Sequence, residues 1–357
     1  MKFRLHLFIL IIAFSLFGTA CTGRSRVIAS SWPGLATDGS EVFVSYSTHV
    51  YGLNGSTGVE DWKFPEETDA KLSFYAPPVL GGDGQLIVGG YNNMLYSLDP
   101  ATGKQNDWTF AEARNRYIAS PLVVGDMLLA SSSDNNLYAL DFSGNLAWKF
   151  TTTEAQWAQP ASDGSTVFLS SLDHNVYAID LQTGEQIWKV DMGGAVVGQP
   201  VVGDGLVYVG SFAKKLVALD IATGDEVWSL QTSNWVWAGP TLVDGTLYFG
   251  DIDGDFYALD AATGESLWNR KLEGGIYSSP LVQNGKIYLG TSTGMFYGIS
   301  TDNELLLNPQ PLGGKIYSSP VVVNNLIVVS LLENEKVVIA LDENGIERWF
   351  YPPPSEE

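Results

Sequence analysis

The chain has 357 residues, with 19 Lys and Arg against 40 Asp and Glu, for a formal net charge of −21. A surface this acidic repels phosphate backbones, which excludes nucleic acid as a partner and leaves the charge to solubility and selection against polyanions. The only histidines are His6, His49 and His174, too little material for a histidine zinc site or a catalytic triad.

At the start, Lys2 and Arg4 precede an apolar run from Leu5 to Phe17, closed by Gly18, Thr19, Ala20 and Cys21. The pattern is that of a secretory signal, and the run is short of the roughly 20 apolar residues that a bilayer span needs. Residues 1–20 are therefore expected to direct export. Cys21, the single cysteine, resembles the lipid-attachment site of bacterial lipoproteins, although Gly18 stands where a Leu is usual. The alternative is an ordinary signal peptidase cut before Cys21, leaving a free thiol in an oxidising compartment. Either cut leaves 17 basic and 40 acidic side chains, a net of −23. The expectation is an exported envelope lipoprotein with residues 21–26 as an anchored linker.

From residue 27 onward one unit recurs. Prolines fall at Pro160, Pro200, Pro240, Pro280 and Pro320, and tryptophans at Trp148, Trp188, Trp228 and Trp268, so both ends of the unit keep a period of 40 residues. Within the unit from Pro200 to Trp228, four short runs rich in Val, Leu, Tyr and Trp are bounded by Gly and Asp. They read as strands near Pro200–Val202, Leu206–Gly210, Leu216–Leu219 and Glu226–Leu230. Their apolar residues are nearly continuous, so both faces of each small sheet must be covered by neighbouring sheets. Four strands per unit, repeated in this way, predict an all-β chain forming a single β-propeller with four-stranded antiparallel blades.

Eight units can be counted. The first begins near Val27 with Pro33 and ends at Trp62; the second contains Pro78 and ends at Trp108; the next four end at Trp148, Trp188, Trp228 and Trp268. The seventh, from Pro280, has lost the terminal Trp and the Thr-Gly turn, and the eighth closes at Trp349. The propeller is expected over residues 27–350, with residues 351–357 as a disordered tail. Its phase is complete at both ends. Closure would come from packing of the first blade on the eighth, or from a swapped strand made of residues 22–32.

The most specific motif precedes each tryptophan, as in Leu219-Asp220-Ile221-Ala222-Thr223-Gly224 before Trp228. The Asp can accept hydrogen bonds from turn amides and the Gly can take positive φ at little cost. The pattern A-x-D-x-x-T-G-x-x-x-W, matched by Ala178–Trp188, Ala218–Trp228 and Ala258–Trp268, resembles the tryptophan-docking repeat of pyrroloquinoline quinone (PQQ) propellers. That family includes quinoprotein dehydrogenases and BamB lipoproteins of outer-membrane assembly, both eight-bladed, and the length and leader are similar to the BamB group. WD40 propellers differ, since Lys, Lys, Ser and Asn follow Trp148, Trp188, Trp228 and Trp268. The resemblance implies that Trp62, Trp108, Trp148, Trp188, Trp228, Trp268 and Trp349 lock adjacent blades. It also implies that a quinone site would need an indole, a disulfide of neighbouring cysteines and a bound Ca²⁺. Cys21 cannot supply that disulfide, so no cofactor, metal or catalytic residue is expected.

Two further clusters bear on function. Asp251, Asp253 and Asp255 alternate as in a calcium loop, but Gly254 is misplaced and Ala262 stands where the loop's closing Glu would be, so a hairpin turn is expected. Tyr75, Trp157, Trp237, Tyr277 and Tyr317 each lie three residues before a proline, where an innermost strand begins. Pointing inward they would rim one mouth of the channel and bind a peptide, loop or small ligand; the competing role is packing between blades. His49 and His174 are expected to be turn or surface residues.

These expectations favour a noncatalytic, monomeric scaffold, held to a membrane by an N-terminal lipid and presenting loops to protein partners. The rivals are a PQQ-dependent oxidoreductase and a binder of carbohydrate or another small ligand at the channel mouth.

Overall fold

The computed structural model describes residues 32–351. Residues 1–31, with the expected signal peptide, Cys21, the linker and the start of the expected propeller, and residues 352–357 lie outside the described residues. Tyr351, expected in the disordered tail, instead ends the strand Glu347–Tyr351 and is buried, because its ring packs beside Tyr51. Within them the chain forms eight four-stranded antiparallel sheets, each a meander in which consecutive strands pair. Blades 1 to 8 span 34–64, 79–110, 122–151, 161–191, 201–231, 241–271, 281–311 and 321–351. No helix occurs among the described residues.

Blade 5 shows why the sequence folds this way. Its strands are Val201–Gly203, Leu206–Ser211, Lys215–Asp220 and Glu226–Gln231, counted outward from the axis. Successive side chains of a strand point to opposite faces. Val207, Val209, Val217 and Leu219 accordingly pack with Phe168 and Trp188 of blade 4, whereas Tyr208, Leu216 and Ala218 pack with Leu247 and Phe249 of blade 6. Continuous apolar runs are thus required, because each sheet is an interior wall on both sides. All eight hydrophobic clusters straddle a joint between two blades, the last joining blades 8 and 1.

The motif before each tryptophan builds the joint. Asp220 accepts hydrogen bonds from the backbone N–H groups of Ala222 and Thr223 at 2.9 Å each, which fixes the turn between the third and outermost strands. Gly224 has φ +76°, and a Cβ there would come within 2.9 Å of the Trp188 indole from the preceding blade. Glycine is needed twice over, for the left-handed backbone and for the ring lying against it. The Trp188 Nε1–H donates to the Ile221 carbonyl at 2.8 Å.

The same bond joins Trp62 to Pro100, Trp148 to Leu181, Trp228 to Ala261, Trp268 to Thr301 and Trp349 to Gly55, at 2.8–3.0 Å. Trp108 differs. Its ring lies against Gly144 of blade 3, yet its Nε1–H donates to Gln85 Oε1 of its own blade at 2.9 Å.

Closure repeats this device between blades 8 and 1. Trp349 reaches Gly55, Ser330 Oγ donates to the Pro33 carbonyl at 3.0 Å, and the Tyr351 hydroxyl donates to Glu60. Among the described residues every blade is made from one continuous segment, so packing of the first blade on the last closes the ring.

Blade 7 is irregular where its sequence is. Its outermost strand shrinks to Gln310–Pro311. Leu307, seven residues after Ser300 as Trp349 is after Asp342, takes the docking register and packs on Gly298. Asn303, with φ +70°, replaces the turn glycine, and the Gln310 amide lies against Gly345 of blade 8.

Candidate functional site

In a four-stranded meander the chain leaves strands two and four on the same face. The hairpins between second and third strands therefore share that face with the connections from each outermost strand to the next innermost one. Those connections meet near the axis: Ser279 Oγ donates to the Gly239 carbonyl at 2.8 Å, and Ser279 N–H donates to Ser319 Oγ at 3.0 Å, linking the entries to blades 6, 7 and 8.

Tyr75, Trp157, Trp237, Tyr277 and Tyr317 all lie in these connections, ahead of the innermost strands and not within them, and all are half-buried. The structure brings three together. Trp237 and Tyr277 have ring centroids 5.4 Å apart, and Tyr277 and Tyr317 are 4.9 Å apart at 62°. Rings unmarked by the proline register extend this row at both ends. Trp32 lies 5.7 Å from Tyr317, Phe212 lies 5.4 Å from Trp237, and Trp235 stacks on Phe212 at 4.5 Å and 11°. Six rings thus form a continuous arc, and Trp235 is 40% exposed.

A second arc runs from Tyr46 to Tyr75 at 6.3 Å and on to Tyr91 at 5.1 Å, where the Arg116 guanidinium lies 5.1 Å over the ring. Trp157 joins neither arc. The equivalent positions before blades 3 and 5 hold Ile118 and Val197, both buried, so the collar is interrupted there. The ring contacts show packing between successive connections, the competing role weighed from the sequence, and the rings remain only half-buried. The recoverable signal for the missed rings was a second register: Tyr46, Tyr91 and Phe212 all sit at or beside the hairpin between second and third strands.

Burial raises the Tyr277 phenol pKa above its ordinary value, with help from Tyr317 and Asp253; burial likewise raises Tyr75, beside Tyr46 and Tyr91. These hydroxyls remain neutral hydrogen-bond donors at neutral pH.

The other candidates resolve into structure. The buried Asp251 carboxylate accepts from the backbone N–H groups of Asn234, Asp253 and Asp255 and from the Tyr257 hydroxyl, at 3.0–3.1 Å, as the turn reading expects. His174 is an exposed turn residue with φ +72°. His49 departs from the surface expectation: it begins the third strand of blade 1, is 3% exposed, and its Nδ1 lies 2.9 Å from Thr48 Oγ1. The inward side of that strand, packed beside Tyr51, accounts for its burial.

Except for Trp108, the repeat indoles are held by docking bonds; among the described residues no cysteine occurs and no group of three His, Cys, Asp or Glu side chains is placed to hold a metal.

The family model described as outer membrane protein assembly factor BamB matches residues 46–160, 143–236 and 233–307. No match is found among curated proteins. Among solved structures, BamB from Moraxella catarrhalis is 21% identical, with 85% of this chain and 92% of that one covered at a TM-score of 0.67. The computationally designed Ika8 protein is 14% identical, with 90% and 97% covered at a TM-score of 0.73. At such identities the likeness is one of fold.

Proposed function

The chain belongs to the family of outer membrane protein assembly factor BamB, and on that premise we propose that it is a noncatalytic scaffold of the cell envelope that holds protein partners during assembly of outer-membrane proteins. Export by residues 1–20 and lipidation at Cys21 would anchor it as a monomeric propeller. The observation that carries the reading is the aromatic arc from Trp235 to Trp32. Rings contributed by successive connections form one contiguous, partly exposed surface, and large aromatic side chains with a polar tip are the residues that anchor protein interfaces. Its proposed contact positions are Trp237, Tyr277 and Tyr317, joined by Trp32, Phe212 and Trp235; Tyr75 in the second arc and Trp157 outside both are proposed as further contacts on the same face.

Photo-crosslinking residues placed at positions 235, 277 and 317 in envelope membranes test this. The expected result is adducts with a component of outer-membrane protein assembly from all three positions, and none from position 346 in the turn of blade 8 on the opposite face. A host without an outer membrane, or purified protein that retains added PQQ and Ca²⁺ and reduces a dye, would overturn the reading.

A further inference from the structure

On the face opposite the collar, a cleft of about 610 Å³ opens between blades 7 and 8. It lies at the joint whose docking tryptophan has been replaced. At the two preceding joints, Tyr208 faces Trp228 at 5.9 Å and Tyr248 faces Trp268 at 6.0 Å. Tyr288 holds the same place in blade 7, but Leu307 and Gln310 divide the position of the indole between them. Tyr288 lines the cleft with Val322, Leu326 and Ile327.

The polar part of the wall is rich in carboxamides. Gln283, Asn284, Asn325 and Asn344 stand around the opening, and their carboxamides make no hydrogen bond to other described residues. The charged groups cancel in pairs, Lys286 with Glu343 at 2.7 Å across the joint and Arg348 with Asp342 within blade 8. A ligand therefore meets no unpaired charge, which disfavours phosphates, carboxylates and ammonium groups. It meets amides that each donate and accept, above a partly apolar floor. An apolar ligand would dehydrate those amides without replacing their bonds to water. Neighbouring hydroxyl groups, each both donor and acceptor, satisfy them. The volume lies within the range of about 300–1,000 Å³ in which small-molecule sites fall.

We propose that this cleft binds a short neutral oligosaccharide, with Gln283, Asn284, Asn325 and Asn344 hydrogen-bonding its hydroxyls. The site is independent of the collar and of the scaffold reading.

Calorimetry on the full chain with maltose, cellobiose and N,N′-diacetylchitobiose tests it. At least one of the three should bind, and the double variant Gln283→Ala/Asn344→Ala should weaken that binding by about tenfold or more while its melting curve stays unchanged. Both positions are exposed and neither has positive φ. Trp237→Ala should leave the affinity as it is. No heat from any of the three sugars up to about 10 mM, binding undiminished in the double variant, or loss of binding in Trp237→Ala alone would each overturn the proposal.

Discussion

The indole of Trp349 donates from Nε1 to the carbonyl of Gly55 at 3.0 Å, a contact between residues 294 apart in sequence. The ring closes through the same bond that joins its interior blades. Trp349 is 6% exposed and packs in the cluster shared by blades 8 and 1. Trp349→Ala should therefore destabilise the protein by about 3–5 kcal/mol, as for other buried tryptophans. Urea unfolding measures this, and an unchanged midpoint would show that closure does not depend on the indole.

Gly245 and Gly264 separate backbone conformation from ring contact. Both have φ +74°, but a Cβ on Gly245 would meet nothing within 4 Å, whereas one on Gly264 would come 2.6 Å from the Trp228 indole. Gly245→Ala should cost about 1–2 kcal/mol for a left-handed non-glycine residue. Gly264→Ala should cost about 1–3 kcal/mol more, from overpacking. Equal losses in denaturant titrations would mean that the indole yields freely.

His49 should make stability depend on pH. Burial lowers its pKa, the Lys63 charge lowers it further, and Glu60 opposes them. The unfolded state thus binds the proton more readily than the folded one. The stabilising contribution is complete above the unfolded value of about 6.5 and is lost as pH falls from there through the folded value. Melting temperatures between about pH 6.5 and 5 should fall in the wild type and less steeply in His49→Gln, whatever that variant's absolute stability. Parallel slopes would exclude His49 as the group responsible.

Trp235 tests the collar at a modest cost in stability. It lies outside the blade cores but stacks on Phe212, so Trp235→Ala should lower unfolding stability by about 0.5–1.5 kcal/mol, well short of global unfolding. The same change should reduce crosslinking from positions 277 and 317, because it removes one end of the arc. Undiminished crosslinking would place the partner elsewhere.

How much of this was legible in the sequence depended on whether a feature kept the 40-residue beat. The strands, the blade number and the docking indoles did, because sheets buried on both faces need the same apolar runs in every unit. Tyr277 and Tyr317 were legible for the same reason. Phe212 and Trp235 were not, since neither lies in the proline register and their stacking depends on two loops meeting across a joint. Trp108 keeps the beat but turns its N–H to Gln85, a side chain no repeat marks. His49 was misjudged because a strand's first residue can face inward as readily as outward. At blade 7 the loss of Trp was plain, whereas its replacement by both Leu307 and Gln310 required the register of a strand only two residues long.

Because each hydrophobic cluster spans a joint, no blade possesses an interior of its own. Cutting out one wedge would strip two neighbours at once, so loosening is felt in both directions around the circumference. Each sector of the collar thus draws its stiffness from the entire hoop, which a short repeat could not provide in isolation.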